Sequence, residues 1–484
     1  MKRIFSLLGW IFALALLGAG LGNFHPGLSM DGPLYAAIAR NFATGQASSL
    51  FHLTSPTPEF QPFFAEHPHL GFWTMAAVFK LLPATDWSAR IPSQLFYILS
   101  LTLLYVGVSE IARSRRAAAL TLILIWIFPI LSNFFSNAYL DPEAFFFGTL
   151  AVFALERATR MRDRSWAWAV VSGLGLAGCA LTKGFTVLGF GPAMAYLVIS
   201  RIKARPGDSV AAASICLGST VAVLTAYAFG ISRSDVPGFL ESYIVRQWSG
   251  RFAVMSDWSL LLRVFFYKEF VRETHGLLVL VPLLLVIRKK KFPAGDALWI
   301  PLIMIATFVL MYVPAARVGH QYWVMILPWA AVLIAQGLDA LLPTSWTESR
   351  LRTGTASLAL LLAALLPFLP IQFYRSRVPE LAVRIRDATQ SKFENSTRLW
   401  IEIGAERDTF IRSGTWAWYT GLPVSYASAS ALVSGETTIA RNDVFVVEAF
   451  HDDAARAKLV QDLKTKNLCV GGENEKSVYW THCF

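Results

Sequence analysis

The sequence predicts a polytopic α-helical membrane protein that carries a small C-terminal α/β domain. Of its 484 residues, 55% are hydrophobic and 15% are charged, and the mean hydropathy is +0.48. Soluble domains carry about 25% charged residues, so much of this surface must face something other than water. About eleven apolar runs are long enough to cross about 30 Å of hydrocarbon, and clusters of basic residues occupy alternate loops between them.

The apolar runs fall into a long group and a short group. The long runs are Ile4–Leu21, Ile91–Val108, Ala117–Phe135, Val210–Ile231, Ala297–Val313, Tyr322–Leu342 and Thr355–Phe373. The short runs, which tilt or local thinning of the bilayer can accommodate, are Tyr139–Leu155, Trp166–Leu181, Phe185–Ile199 and Gly276–Ile287. The first run resembles a signal peptide, but we interpret it as an uncleaved helix because many more spans follow and no good small-x-small cleavage site precedes Asn23.

The basic residues predict the topology. They cluster at Lys2 and Arg3, Arg113 to Arg116, Arg157 to Arg164, Arg201 to Arg205, Arg288 to Lys291, and Arg350 with Arg352. The positive-inside rule places all of these loops in the cytoplasm. The N-terminus is then cytoplasmic and the C-terminal segment lies outside. The clusters also account for much of the net charge of +11, which argues against a nucleic-acid partner.

Three long segments lie on the outer side in this topology, namely the loops 23–87 and 232–275 and the tail 374–484. We therefore predict a transmembrane domain over residues 1–373 and an outer α/β domain over residues 374–484. The tail predicts strands at Leu399–Ile403, Val424–Ala427, Val444–Phe450 and Ser477–Cys483, a helix at Asp453–Lys466, and a turn at Gly471-Gly472.

The four cysteines have no metal-ligand spacing. Cys179 and Cys216 lie inside apolar runs, whereas Cys469 and Cys483 lie near the C-terminus. The latter two could pair in an oxidising compartment, although a simple hairpin register would not place them opposite each other.

Ionisable residues outside the basic loops gather near the outer surface. They are Asp31, Glu66, His67, His69, Asp141, Glu143, Lys183, Arg246, Arg251, His275, Arg317 and His320. Any one of these residues, taken alone, is equally well explained as an ordinary polar residue of a loop. A proton-coupled transporter usually carries ionisable groups near mid-membrane, and these positions do not fit that pattern. Together with two long outer loops, they predict a site at the boundary between membrane and water.

Six short motifs resemble those of one enzyme family in order and spacing over residues 20–340. They are Asp31-Gly-Pro-Leu-Tyr35, Glu66-His67-Pro68-His69-Leu70, Ala89-Arg90, Leu140-Asp141-Pro142, Thr182-Lys183-Gly184 and Arg317-Val-Gly-His320-Gln-Tyr322. The chain resembles the protein O-mannosyltransferase superfamily, which has the C-type glycosyltransferase fold. Within it, the chain is similar to bacterial aminoarabinose and galacturonic acid transferases of lipid A. Gly32 and His69 depart from the family pattern.

The resemblance implies a multi-pass enzyme of the bacterial inner membrane with a periplasmic site. Its donor would be a sugar on a polyprenyl phosphate, and its acceptor would be lipid A, lipopolysaccharide or another envelope molecule. Asp31 would act as general base with inversion at the sugar. If the acceptor is a phosphate, Asp31 would instead position it, and Asp31 could also cap the helix predicted at Pro33–Phe42.

The same resemblance assigns roles to other residues. Lys183, Arg246, Arg251 and Arg317 would hold the donor phosphate, or, as ordinary interfacial cations, would reach lipid headgroups. Asp141 would act with Asp31 on the acceptor or would cap its own helix. The residues predicted to position substrates are Tyr35, Glu66, His67, His320 and Tyr322. Glu66 with His67, His69 or His275 could bind zinc, magnesium or manganese, or these histidines could be structural.

Three other functions compete with sugar transfer of this kind. A transporter or flippase for lipid-linked sugars would share the many spans. An O-antigen ligase or polymerase would also join sugars outside the membrane, although from lipid diphosphate donors. Finally, the tail could be a binding module on a membrane anchor.

Overall fold

A computed structural model of the chain describes most of residues 27–365 and parts of the tail. The described residues are 7–15, 27–28, 31–46, 49–55, 63–161, 163–234, 238–252, 273–290, 294–312, 322–365, 385, 399–402, 415, 417–420, 422, 424–427, 444–448, 461, 468–473 and 477–482. Of residues 246–252 and 359–365 only the backbone is described.

The chain divides into two compact units. The first unit comprises Met1–Phe24, Ala65–Thr74 and Arg90–Phe373, and the second comprises His25–Phe64, Met75–Ala89 and Tyr374–Phe484. The second unit therefore adds most of the predicted outer loop 23–87 to the tail, whereas the sequence grouped that loop with the transmembrane part.

The described residues are mostly helical. The helices are α1 (residues 7–15), α2 (Gly32–Ala43), α3 (Leu70–Leu81), α4 (Asp86–Ile111), α5 (Arg115–Ile127), α6 (Pro129–Phe135), α7 (Asp141–Arg160), α8 (Ser165–Lys183), α9 (Gly191–Ile202), α10 (Pro206–Ser232), α11 (Phe239–Phe252), α12 (Leu277–Ile287), α13 (Asp296–Tyr312), α14 (Trp323–Leu341) and α15 (Glu348–Leu365). A 3-10 helix, Gly184–Phe190, joins α8 to α9.

Several of these helices can cross a bilayer. In the described part of the chain, four segments are long and apolar enough, namely Asp86–Ile111, Ser165–Ile202, Pro206–Ser232 and Trp323–Leu341. Shorter apolar helices are α3, α12 and α13. The predicted multi-pass helical architecture is confirmed in this coarse form, whereas about eleven spans stays a prediction.

Two predicted spans are interrupted for identifiable reasons. The run Ala117–Phe135 is divided at Phe128, whose backbone is extended (φ −84°, ψ 104°), because the residue before a proline avoids the helical region. The run Phe185–Ile199 begins as the 3-10 helix and becomes α9 only at Gly191. Pro192 in the first turn suits that start, since proline is pre-organised for the first helical turn.

Small residues bring α7, α8 and α10 close together. A Cβ on Gly175 would lie 2.8 Å from the Phe147 carbonyl oxygen, and one on Gly173 would lie 2.3 Å from that of Cys216. The Ser172 hydroxyl donates to the Ala151 carbonyl at 2.8 Å. Close backbone approach of this kind replaces the hydrophobic driving force that is missing between helices in lipid.

Helix α14 forms the centre of the first unit. In α14, 72% of an apolar 18-residue stretch is buried, whereas in α10 only 22% of such a stretch is buried. Trp329 is fully buried there and contacts the rings of Phe145 and Phe153, both on α7. The remaining apolar surface of α10 is therefore available to lipid.

The second unit ties its loop residues to the tail. Arg40 on α2 donates to the carbonyl oxygens of Ala417 and Trp418 at 2.9 and 3.0 Å, and its guanidinium lies 5.4 Å from the Trp418 ring centroid. The indole N–H of Trp418 donates to Asp86 at 2.7 Å. Burial lowers the pKa of Arg40 to about 10, which leaves its charge intact at neutral pH.

A mixed five-stranded sheet lies in the tail, with β1 (Leu399–Glu402), β2 (Val424–Ala427), β3 (Val444–Glu448), β4 (Leu468–Glu473) and β5 (Ser477–His482). The order is β2-β1-β3-β5-β4, with β1 parallel to β2 and β3, and β5 antiparallel to β3 and β4. Four of these strands lie at the predicted positions.

The predicted turn at Gly471-Gly472 is wrong. Both glycines belong to β4, where the register shifts between Val470 and Gly472. Glycine suits such an irregularity as well as it suits a turn. Cys469 lies opposite Thr481 in this register, whereas Cys483 and all of the predicted helix Asp453–Lys466 except Gln461 lie outside the described residues.

Candidate active site

A buried ion pair joins Asp141 and Lys183 in the first unit. Asp141 begins α7 and Lys183 ends α8, and these helices pack side by side in opposite directions, so the two residues meet. The Lys183 ammonium contacts Asp141 Oδ1, and the two side chains are only 5% and 1% exposed. Removing the two charges from water costs several kcal/mol of folding free energy per ion, and their mutual attraction must offset this cost. The pair is therefore poor evidence of stabilisation and better evidence of function.

The second oxygen of Asp141 is left for another group. Asp141 Oδ2 is buried and has no hydrogen-bond partner within the part of the chain that the structure describes. A buried carboxylate oxygen without a partner costs about 1–3 kcal/mol. An incoming hydroxyl or ammonium could therefore donate to this oxygen. The predicted alternative, in which Asp141 only caps its helix, does not explain the contact with Lys183.

Glu143 lies two residues after Asp141 on α7, in the sequence Asp141-Pro142-Glu143. Its side chain is buried, at 2% exposed, and accepts hydrogen bonds from the hydroxyls of Thr74 at 2.9 Å and Thr182 at 3.4 Å. Glu143 thereby connects α3 to the end of α8 that carries Lys183. The sequence placed Glu143 near the outer surface but assigned it no role, although two acidic residues separated by one position are a usable signal.

Tyr322, which the sequence predicted as a substrate-positioning residue, lies beside Lys183. The Lys183 ammonium lies 5.6 Å from the centroid of the Tyr322 ring, within the range of a cation–π contact. Tyr322 stacks in turn on Tyr312, at 4.2 Å between centroids. The ring limits where the lysine side chain can move.

Gly184 sets the position at which α8 ends beside Lys183. Its φ of 54° and ψ of −117° are accessible mainly to glycine. A Cβ at this position would lie 1.3 Å from the hydroxyl oxygen of Tyr243. That hydroxyl also accepts a hydrogen bond from the Phe185 N–H at 3.3 Å, and the Phe185 and Tyr243 rings stack at 5.7 Å. Tyr243 on α11 was not identified from the sequence because nothing local marks it.

The motif Glu66-His67-Pro68-His69 lies at the start of α3. His67 and His69 are buried, and Glu66 is half-buried. A ring nitrogen of His69, Nδ1, lies 2.6 Å from the Tyr227 hydroxyl, and its ring contacts Trp73 and Phe239. His69 is thus held by an aromatic environment, as the structural alternative for a lone histidine expects.

Asp31 and Tyr35 lie in the second unit. Asp31 precedes α2, which agrees with the predicted helix Pro33–Phe42, and its side chain makes no capping hydrogen bond to that helix. The Tyr35 hydroxyl donates to Asp31 Oδ2 at 3.5 Å. The helix-cap alternative for Asp31 therefore receives no support from the geometry.

A metal site does not emerge from the described residues. They contain no group of three or more His, Cys, Asp or Glu side chains that could hold a metal ion. His275, predicted with Glu66 as a ligand, has Nε2 at 3.3 Å from the Ile127 carbonyl oxygen and lies beside Phe128. We therefore assign no step to a metal ion.

The remaining predicted phosphate ligands are only partly described. Arg246 and Arg251 belong to α11, but their side chains lie outside the described part. Arg317 and His320 also lie outside the described residues. Their predicted roles stay predictions.

Comparison with known proteins supports the family resemblance. Residues 66–228 match the family model described as dolichyl-phosphate-mannose-protein mannosyltransferase. This range contains Glu66, Asp141 and Lys183. The predicted resemblance is confirmed, and the chain is a glycosyltransferase. No curated protein matches the chain by sequence.

Two solved structures share the fold. ArnT from Cupriavidus metallidurans in the apo state aligns with a TM-score of 0.67, and ArnT bound to undecaprenyl phosphate aligns with 0.65. Each is 15% identical, and the alignments cover 99% of this chain and 98% and 96% of the ArnT chains. At this identity the likeness establishes the fold.

Proposed function

We propose that this glycosyltransferase moves a sugar from a polyprenyl-phosphate donor to an envelope acceptor, with lipid A or lipopolysaccharide favoured. The observation that carries the proposal is the buried Asp141–Lys183 pair, which lies inside the segment 66–228 that matches the mannosyltransferase family. The undecaprenyl phosphate in one ArnT structure supports the choice of donor. Dolichyl phosphate in the family's description is the same class of lipid carrier.

Lys183 is the proposed ligand of the donor phosphate. When the bond between the anomeric carbon and the phosphate oxygen breaks, that oxygen keeps the electron pair and its negative charge grows. A fixed ammonium stabilises such charge more in the transition state than in the ground state. Asp141 holds the ammonium in place through Oδ1, while Oδ2 can accept a hydrogen bond from a substrate hydroxyl. Arg246, Arg251 and Arg317 are proposed to share the phosphate charge.

Asp31 is the proposed general base. It would take the proton of an acceptor hydroxyl as the oxygen attacks the anomeric carbon, which inverts the configuration and releases the polyprenyl phosphate. If the acceptor is a phosphate that is already ionised, Asp31 orients it instead. Tyr35, within reach of Asp31, and Glu66, His67, His320 and Tyr322 are proposed to position the substrates.

The proposed location is the inner membrane of a bacterium, with the N-terminus in the cytoplasm and the second unit in the periplasm. The basic loops support this orientation. A lipid-borne donor also fits an outer site, since activated nucleotide sugars are not available there. The family match favours transfer over the transporter alternative, because transport needs no such enzyme domain.

Binding of undecaprenyl phosphate tests the role of Lys183 before the sugar is known. The purified full-length chain in detergent is titrated with undecaprenyl phosphate, and the variant Lys183→Met is compared with Lys203→Met, which removes an exposed lysine from the first unit. We expect Lys183→Met to weaken binding by about tenfold or more, since a charge-assisted hydrogen bond contributes about 1.5–3 kcal/mol. Equal binding by both variants would remove Lys183 as the phosphate ligand.

The product is sought by mass spectrometry of envelope lipids and glycans. Cells that express the wild-type chain are compared with cells that lack it and with cells that express Asp31→Asn. We expect a sugar on an envelope molecule only with the wild type, while Asp31→Asn accumulates in the membrane at the same level. A modified product with Asp31→Asn would rule it out as an obligatory base.

A further inference from the structure

A polar cavity of about 570 Å³ lies in the first unit, far from Lys183. Its polar lining consists of Arg113, Arg201, Asp296, Gln336 and Asp339. Arg201 also lies 4.0 Å from Glu156, which is about 22 Å along α7 from Asp141 at 1.5 Å per residue. The cavity is thus separate from the candidate active site, and an inference from it does not rest on the proposed function.

Two ion pairs fix the walls of the cavity. Arg201 on α9 contacts Asp296 at the start of α13, and Arg116 on α5 contacts Asp339 on α14. The Ser114 hydroxyl donates to Asp339 at 2.7 Å. Both carboxylates are therefore already neutralised by an arginine, and they leave little negative charge to attract a cation.

Arg113 supplies the uncompensated charge. It is exposed, its φ is 51°, and the described residues contain no acidic side chain in an ion pair with it. The Nε of Arg201 is also buried without a hydrogen-bond partner among the described residues. Arg113 and Arg201 both line the cavity, and guanidinium groups suit an oxyanion such as a phosphate.

Gln336 provides a hydrogen-bond acceptor, whereas the two arginines provide donors. Its side-chain nitrogen Nε2 donates to the Ala297 carbonyl oxygen at 2.8 Å. Because a carbonyl can only accept, the amide orientation is fixed, and Oε1 is left as an acceptor. Gln336 is 4% exposed, and Oε1 has no partner among the described residues. A ligand that satisfies this oxygen must carry a hydrogen-bond donor.

Apolar side chains on the same helices are open to lipid. Trp299, one turn after Asp296 on α13, is 49% exposed, and Ile199 on α9 is 67% exposed. Aromatic residues with this exposure are enriched where headgroups meet the hydrocarbon. The cavity therefore lies beside surface at which a phospholipid headgroup would be found.

We propose that this cavity binds a phosphate ester that also bears a hydrogen-bond donor, as an ethanolamine phosphate headgroup does. Arg113 and the free N–H of Arg201 bind the phosphate oxygens, and the ammonium donates to Gln336 Oε1. Such a ligand would add a connection between the α4–α5 loop, which carries Arg113, α9, which carries Arg201, and α14, which carries Gln336. The source can be a membrane phospholipid or a soluble phosphate ester.

Binding to the purified full-length chain in detergent tests the proposal by native mass spectrometry and by thermal unfolding. The ligands are short-chain phosphatidylethanolamine, short-chain phosphatidylcholine, glycerophosphoethanolamine and inorganic phosphate. Phosphatidylcholine keeps the phosphate but has no N–H donor on its headgroup nitrogen. We expect phosphatidylethanolamine to bind at least about tenfold more tightly than phosphatidylcholine. If glycerophosphoethanolamine binds as tightly as phosphatidylethanolamine, the ligand is a soluble phosphate ester. If glycerophosphoethanolamine does not bind, the ligand is the membrane phospholipid.

Two variants and a matched control decide the outcome. Arg113→Gln should weaken binding of phosphatidylethanolamine about tenfold, whereas Arg115→Gln, which removes a neighbouring exposed arginine outside the lining, should leave it unchanged. Gln336→Leu should abolish the preference over phosphatidylcholine. The proposal is overturned if no ligand binds, or if Arg113→Gln binds phosphatidylethanolamine as the wild type does. Arg113 is exposed, so this variant keeps the test valid even if Gln336→Leu fails to fold.

Discussion

The two ends of the first unit differ in how deeply their charged side chains are buried. At the Lys183 end, formed by Asp141, Glu143 and Lys183, no side chain is more than 7% exposed. At the arginine-rich end, formed by Glu110, Arg157, Arg160, Arg116 and Asp339, the side chains are 20–41% exposed. The first end holds few charges, all of them buried, and the second holds many charges, most of which are partly exposed to water, with Glu156 beside Arg160 as a buried exception at 4% exposure.

This difference agrees with the proposed division between charges that set the membrane topology and charges that take part in sugar transfer. Half-exposed ion pairs contribute about 0–1 kcal/mol each, and their arginines suit the positive-inside pattern. A buried pair with an unpartnered oxygen is costly to keep. We therefore expect substitutions at the Lys183 end to have large effects on activity and stability, and equivalent substitutions at the arginine-rich end to have small ones.

The largest effect is expected for Asp141→Ala. Loss of this carboxylate leaves the Lys183 ammonium buried without its partner, which costs about 3–5 kcal/mol. Thermal unfolding in detergent should show a strongly lowered midpoint, and sugar transfer should be lost. In the double variant Asp141→Leu with Lys183→Met, which replaces the pair by apolar groups, we expect stability to return while transfer stays absent. A double variant as unstable as Asp141→Ala would contradict this account of the pair.

A smaller loss of stability, with loss of transfer, is expected for Gly184→Ala. The new methyl group would overlap the Tyr243 hydroxyl, and the positive φ adds backbone strain, so the cost is about 2–4 kcal/mol. The matched control is Gly191→Ala, at which a Cβ meets nothing within 4 Å. If both alanine variants unfold at the same temperature, the close approach of Tyr243 does not define the end of α8.

The smallest effect is expected for Glu110→Gln at the arginine-rich end. Glu110 accepts from Arg157 at 2.9 Å and from Arg160 at 3.0 Å, with about a quarter of its side chain exposed. We expect a loss of about 1 kcal/mol that shrinks as salt is raised, with transfer activity unchanged. Unfolding curves at low and high salt measure this. A loss as large as that of Asp141→Ala would remove the contrast between the two ends.

The candidate site was predictable where its motifs are local. The motif Thr182-Lys183-Gly184 and the motif Leu140-Asp141-Pro142 both pointed to the outer surface, and the structure joins them directly. Tyr227 and Tyr243 could not be found in this way. Each contributes one hydroxyl from an apolar or loop-flanking helix, and a single hydroxyl leaves no periodic signal in the sequence.

The sequence by itself determined the positions of most helices and the four predicted strands. The reason is that membrane insertion depends on the hydrophobicity of each segment separately, and that alternation along a strand is equally local. The tertiary structure alone decided which polar groups meet. Arg40 contacts Ala417 and Trp418 in the tail, Asp141 contacts Lys183, and Tyr243 sets the end of α8 at Gly184. These contacts join residues that are far apart in the chain, and only packing brings them within the few ångströms over which hydrogen bonds and steric overlap act.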